Sequence, residues 1–391
     1  MPLRRPTSSS VTAAIPRSRI SAAAASTIRP RVAIPFAVST RQLYRPVHSV
    51  QGRFGAVRCG HWPVDRRFGG SCMPVVGWHA SHEQIAPSQL LRDIQAAEQA
   101  GFQAAWSSDH FTPWSRRQGE SGFALSWLGA AMATTSFPVG VVSTPGQRYH
   151  PAIVAQALAT LAEMFPGRLS AGFGSGEFMN EHITGEPWPH KDVRNARLKE
   201  SVAVIRALLT GEEVTHHGLV EVDRARLWTL PEQQPRMLAL AVSEATARWA
   251  AEWADGLVTI WQPPGLLKRI VAAFRENGGE DKPLAVQMHV SWAPDEEQAL
   301  DIAFDQWRSN VFEAPLCWNL ATAEEFDLAA KYVQPEDMYR SVVISSEAER
   351  FITCVREAVD LGFDEVYLHH VGQQQQPFIE TFGRRVLPEL I

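Results

Sequence analysis

Four short stretches of the chain gather residue types that could do chemistry together. Ser108-Asp109-His110-Phe111-Thr112-Pro113-Trp114 sets an imidazole beside a carboxylate and near an indole, a group able to donate a proton or seat a flat ring. The plainer reading has Asp109 capping the next turn with His110 packed against it. Gly174-Ser175-Gly176-Glu177-Phe178-Met179-Asn180-Glu181 joins glycines, which let backbone approach a ligand closely, to Glu177 as an acid or base. Glycines also simply turn loops, and the stretch lacks the GxGxxG spacing of a dinucleotide fingerprint. Ser243-Glu244-Ala245-Thr246 puts two hydroxyls at i and i+3 of a helix start, either as ordinary caps or as phosphate donors. His79-Ala80-Ser81-His82-Glu83 has a metal-like spacing, but side chains at a strand end need not converge, and no metal is expected. His216-His217 and His369-His370 lie on strand-like segments, where neighbours point to opposite faces.

A regular alternation must position these stretches. Short apolar strands read at 75–80, 103–110, 139–144, 168–176, 237–243, 256–261, 284–292 and 364–370. Amphipathic helices separate them, as at PSQLLRDIQAAEQAG, with Pro in the first turn and Gly at the end. The run 211–228 alternates like a hairpin, and about 309–345 reads as an irregular insertion. Eight strand–helix units predict a single closed (β/α)8 TIM barrel with insertions after strands four and seven, an open doubly wound sheet being the rival. In a barrel the site lies in the loops after the strands, where the chemically suggestive stretches fall.

With 45% hydrophobic and 20% charged residues in 391, the chain is globular rather than disordered, collagen-like or coiled-coil. Its four Cys form no CxxC pair, and no apolar run is long enough to span a membrane. The charge is uneven. Residues 1–72 carry twelve Arg, no Lys and one acidic residue, whereas 73–391 carry 25 basic against 41 acidic residues. An acidic body without a basic stripe argues against nucleic acid as a partner. The Ser-, Ala-, Pro- and Arg-rich segment 1–72 is expected to be a disordered extension, either an organelle transit peptide or sequence upstream of a true start at Met73. Thirteen Trp, several near loop starts, suit either core packing or a pocket for a planar ligand.

Taken together, SDHFTPW, RYHPAIVAQALATLAEMFPGR and GSGEFMNE resemble the bacterial-luciferase-like flavin and deazaflavin oxidoreductase superfamily. The likeness is strongest to its branch of F420-dependent glucose-6-phosphate dehydrogenases. It runs from about Val75 to Leu390, covers none of 1–72, and implies a start near Met73. The resemblance implies that His110 and Trp114 face the reactive ring, that Glu177 is the second acid/base residue, and that Asp109 and Asn180 contact the cofactor. It places a non-proline cis peptide at Val141-Val142, with Thr144 and Gly176 beside the same ring. Glu83 matches a carboxylate of the substrate pocket and Arg340 a phosphate-binding cation. The chain departs from the branch in two places. Ser243-Glu244-Ala245-Thr246 replaces a Gly-Gly-Pro turn and is similar to the phosphate loop of FMN-using members. Two phosphate-binding lysines are also missing, so one cation stands for three, which argues against glucose 6-phosphate as substrate.

The expectation is therefore an FMN-dependent oxidoreductase or monooxygenase-like enzyme acting on a small organic substrate, with NAD(P)H or a flavin reductase as electron source. The alternatives are an F420-dependent dehydrogenase and a non-catalytic flavin-binding barrel. The resemblance further implies a homodimer, and the lack of a signal peptide a cytoplasmic location.

Overall fold

The computed structural model describes residues 74–391; the expectations for residues 1–72 and for a start at Met73 lie outside them. The strands are β1 (Val75–Ala80), β2 (Ala104–Ser107), β3 (Val139–Ser143), β4 (Leu169–Phe173), β5 (Val214–His217), β6 (Glu221–Ala225), β7 (Arg236–Leu240), β8 (Gly256–Ile260), β9 (Leu284–Trp292), β10 (Val343–Ser345) and β11 (Glu365–His370). Eight of them pair in parallel in the order β1-β2-β3-β4-β7-β8-β9-β11, and β11 pairs back onto β1. The sheet is therefore closed, and the predicted (β/α)8 barrel is the observed one. Each barrel strand is covered on both faces, which is why these segments read as near-continuous apolar runs.

Helices connect the strands and end where the sequence punctuates them. Pro87–Ala100 opens on Pro and closes on Gly101, whose φ of 103° is the left-handed conformation that favours glycine. Pro151–Met164 is capped by His150, whose Nδ1 accepts from the Ala152 N–H at 3.2 Å. After β4 come a short helix (Phe178–Glu181), a long one (Lys191–Leu209) and the antiparallel β5–β6 hairpin. After β9 the stretch read as irregular contains helices Leu316–Asn319 and Ala323–Ala329, and then β10, which extends the sheet beside the end of β9. Elements of three to seven residues are too short to leave a periodicity. Among the described residues, no helix is long and apolar enough to cross a membrane.

Side-chain alternation divides the core. Val76 and Trp78 of β1 face the helices, whereas Val75 packs inside the barrel with Trp106, Leu238, Ala285 and Tyr367. Glycines make room for the two interior rings. A Cβ at Gly140 would stand 2.5 Å from Trp106 Cε2, and one at Gly172 2.7 Å from Trp106 Cζ3. Gly140→Ala is therefore expected to destabilise by about 1–3 kcal/mol, since the enclosed indole cannot move aside. A lowered urea midpoint at unchanged slope would show it, and an unchanged midpoint would refute it.

The Val141-Val142 peptide departs from expectation. It is trans, and the one cis peptide among the described residues is Ala314-Pro315. Val141 pairs with Ser107 on one side and Ala171 on the other, and Val142 pairs with Gly172. That unbroken parallel ladder requires extended trans backbone.

Candidate active site at the C-terminal mouth of the barrel

The loops after β2 and β4 meet over the mouth, and Asn180 joins them. Its Oδ1 accepts from the Phe111 and Thr112 backbone N–H groups at 2.9 and 3.3 Å. That fixes the amide, so Nδ2 is the group facing His110 Nδ1 at 3.1 Å and Glu177 Oε2 at 3.4 Å. An N–H aimed at Nδ1 makes it the acceptor, so the neutral His110 ring carries its proton on Nε2. The ring leans on Trp114, centroids 5.2 Å apart, and Trp114 meets the buried Phe326 edge-on. Burial pushes the Glu177 carboxyl above the ordinary glutamate range; Glu83 and Glu181 add to the shift, while His110 and Arg148 oppose it.

Beneath this layer a charged network is closed off from water. Asp109 accepts from Ser143 Oγ at 2.7 Å, Tyr149 OH at 3.0 Å and Arg148 Nη2 at 3.2 Å. Arg148 also donates its backbone N–H to Glu181 Oε2 at 2.8 Å, while its Nε lies 3.7 Å from Glu181 Oε1. The side chains of Asp109 and Glu181 are each 1% exposed and that of Arg148 5%, so one guanidinium lies against two buried carboxylates, with Arg197 also acting on Glu181. Burial raises the Glu181 carboxyl, and Arg148 pulls it back. Asp109 is thus a structural anchor of the loop that carries His110.

The remaining predicted residues fall in different places. Glu83 is buried and takes a short hydrogen bond from Ser108 Oγ, at the mouth. Gly176 has a φ of 87°, and a Cβ there would stand 3.1 Å from Thr144 Cγ2, so these two residues adjoin. Val142 packs toward the barrel interior and Val141 toward the helices. Ser243 caps the helix Glu244–Ala250, its Oγ lying 3.4 Å from the Thr246 N–H and 3.0 Å from Thr246 Oγ1, so the two hydroxyls engage each other. Arg340 stands exposed, paired with Asp337 of its own turn, outside the buried cluster. His79 points into the barrel while His82 packs edge-on to Trp127, so the pair does not converge. Of the Trp residues near loop starts, Trp78, Trp106 and Trp127 are buried in the core.

The sequence did not reveal Arg148, Tyr149 and Glu181 as a network, nor that His369, singled out only as one of a strand pair, joins Gln84, Gln287 and His289 in a polar floor. The one available signal was polar residues two apart at the ends of apolar strands, as in Gln287-Met288-His289.

The chain matches the luciferase-like monooxygenase family over residues 67–365. It belongs to that family. Like other family members it is an oxidoreductase. It is similar to the F420-dependent glucose-6-phosphate dehydrogenase of Nakamurella multipartita, at 34% identity over 80% of this chain and 96% of the relative. Among solved structures it resembles an F420-dependent secondary alcohol dehydrogenase in complex with an F420-acetone adduct. The TM-score is 0.75 and the identity 29%, over 82% of this chain and 99% of that one. The oxygenating constituent of 3,6-diketocamphane monooxygenase from Pseudomonas putida, in complex with FMN, has a TM-score of 0.61 at 15% identity, over 82% and 99% of the two chains, a likeness of fold alone.

Proposed function

We propose that the chain is an F420-dependent oxidoreductase moving hydride between the deazaflavin and a small alcohol or carbonyl compound. The observation that carries this reading is the Asn180 bridge, which holds an Nε2–H donor and a carboxyl raised by burial side by side at the mouth. Hydride exchange with an alcohol needs that pair: one group to hold the oxygen and one to take or return its proton. A barrel that only stored a flavin would need neither. The F420-dependent relatives support the same choice of cofactor.

The donor set fits the group. Gly176 keeps the backbone bare beside Thr144, and Asn180, Trp114 and Val142 offer amide, aromatic and apolar surface for a flat ring. F420 bound there would supply the hydride chemistry. His110 Nε2–H would hold the substrate oxygen, and Glu177 would exchange its proton. The expectation of an FMN phosphate at Ser243 and Thr246 finds less support. Those hydroxyls bond to each other, and Arg269, beside that helix start, pairs with Glu244 at 2.6 Å.

Titrating the purified chain with F420 and with FMN, followed by the visible absorbance of each, tests the reading. Saturable binding of F420 that equimolar FMN does not displace is expected. Retention of FMN with no affinity for F420 would overturn it.

A further inference from the structure

The floor of the mouth is made of side chains from strands far apart in sequence. By the alternation that sends Val75, Ala285 and Tyr367 inward, His79, Gln287, His289 and His369 also face the barrel interior, near the strands' C-terminal ends. Their rings pack together: His79 lies 4.5 Å from His369, His289 5.3 Å from His369, and Trp307 4.7 Å from His369.

Two of the three imidazoles are completely committed. His369 Nε2 donates to Gln84 Oε1 at 2.9 Å, and the Gln84 amide is oriented by its own donation to the Val371 carbonyl. Gln287 Nε2 donates to His369 Nδ1 and to His289 Nε2, each at 3.2 Å. The other nitrogen of His289 hydrogen-bonds to the backbone of Ser341. His79 differs. It is 3% exposed, and its buried Nδ1 has no hydrogen-bond partner; neither has the buried Nε1 of Trp307, on the same cluster. Buried polar atoms are nearly always paired, so these two unpaired ones on the floor call for a partner.

We propose that His79 is the ligand-binding group of the barrel floor, hydrogen-bonding a neutral hydroxyl or carbonyl oxygen of a molecule bound in the mouth. This deepens, and rests on, the reading of the mouth as an alcohol or carbonyl site. The oxygen is neutral because the floor offers no charge to meet an anion. Burial holds His79 and His369 well below the ordinary histidine range and His289 at about 4, so all three rings are uncharged near neutrality. A carboxylate or phosphate oxygen pressed onto them would be buried without compensation. The exposed, Asp337-paired Arg340 lies outside this cluster. The neutral oxygen has two possible sources, the substrate or a carbonyl of the cofactor ring, and one experiment separates them.

The test uses the full chain with 15N-labelled histidine rings, titrated separately with propan-2-ol and with F420, beside His79→Phe and His79→Gln. In the parent, at least one titrant is expected to move the His79 ring nitrogens. His79→Phe should weaken that titrant's binding about tenfold, the effect of one lost hydrogen bond, and His79→Gln should restore part of it. Loss confined to propan-2-ol assigns the oxygen to the substrate, and loss confined to F420 assigns it to the ring. Ring nitrogens that respond to neither titrant, or a folded variant that binds both as the parent does, would overturn the proposal, leaving a buried water as the partner. If His79→Phe does not fold, the parent titration and His79→Gln decide. A parent that shows no F420 affinity while propan-2-ol still moves His79 would remove the F420 reading and keep the floor site.

Discussion

Glu177→Gln is expected to lower kcat by about 10²- to 10⁴-fold while leaving F420 affinity near the parent value. The amide keeps the carboxyl's shape but can neither take nor return a proton. Gln can still face the Asn180 Nδ2 with its carbonyl oxygen, so the loop should keep its arrangement. The parent's pH dependence follows from the raised Glu177 value. Alcohol oxidation needs the carboxylate, so its rate should climb with pH through an inflection above the ordinary glutamate range. Carbonyl reduction needs the protonated form and should decline through the same inflection. Both limbs should vanish in Glu177→Gln. The measurement is the initial rate of F420 reduction or reoxidation across pH, with an alcohol and its ketone as substrate pair. A variant within about threefold of the parent, with the inflection intact, would remove Glu177 from the chemistry.

Arg148→Met is expected to cost about 3–5 kcal/mol of stability, because it leaves buried Asp109 without its cation and buried Glu181 with only the more distant Arg197. Double replacement of both acids by their amides should recover part of the loss. The cost should also grow with pH. Burial raises the Glu181 carboxyl above its unfolded value, and removing Arg148 raises it further. The folded state then holds its proton more tightly than the unfolded chain does. That contribution is fully present below the unfolded value and is lost as pH rises through the folded one. Urea unfolding near pH 5 and near pH 8 should therefore show the larger deficit at pH 8. An equal deficit at both would mean that Arg148 acts by packing rather than by charge. Because Asp109 precedes His110 directly, the variant should also lose activity out of proportion to F420 binding.

Under the proposed function the site divides into chemistry and support. Glu177, His110 and Trp114 present groups to the mouth, whereas Asp109, Arg148, Tyr149 and Glu181 hold the loops beneath them. His110 owes its neutral tautomer to Asn180, and Asn180 owes its orientation to the backbone of the β2 loop.

The amino-acid sequence by itself determined the barrel, because each barrel strand is buried on two faces and many of the helices are punctuated by Pro, Gly or a capping side chain. Segments such as PAIVAQALATLAEMFPG and LAVQMHVSW carry that pattern locally, so their type could be read without knowing what they pack against. It also pointed to His110, Glu177 and Ser243, since polar residues directly after apolar strands must lie at one end of a closed sheet. Only the tertiary structure decided which of these act together. Asn180 reaches His110 across the loop of an intervening strand, and Arg148 meets Asp109 and Glu181, the three coming from the connections after three different strands. The floor draws on β1, β9 and β11, from nearly the two ends of the described chain. Periodicity is a property of neighbours along the chain, whereas hydrogen bonds between loops depend on how the strands stagger around the barrel, which no local pattern encodes.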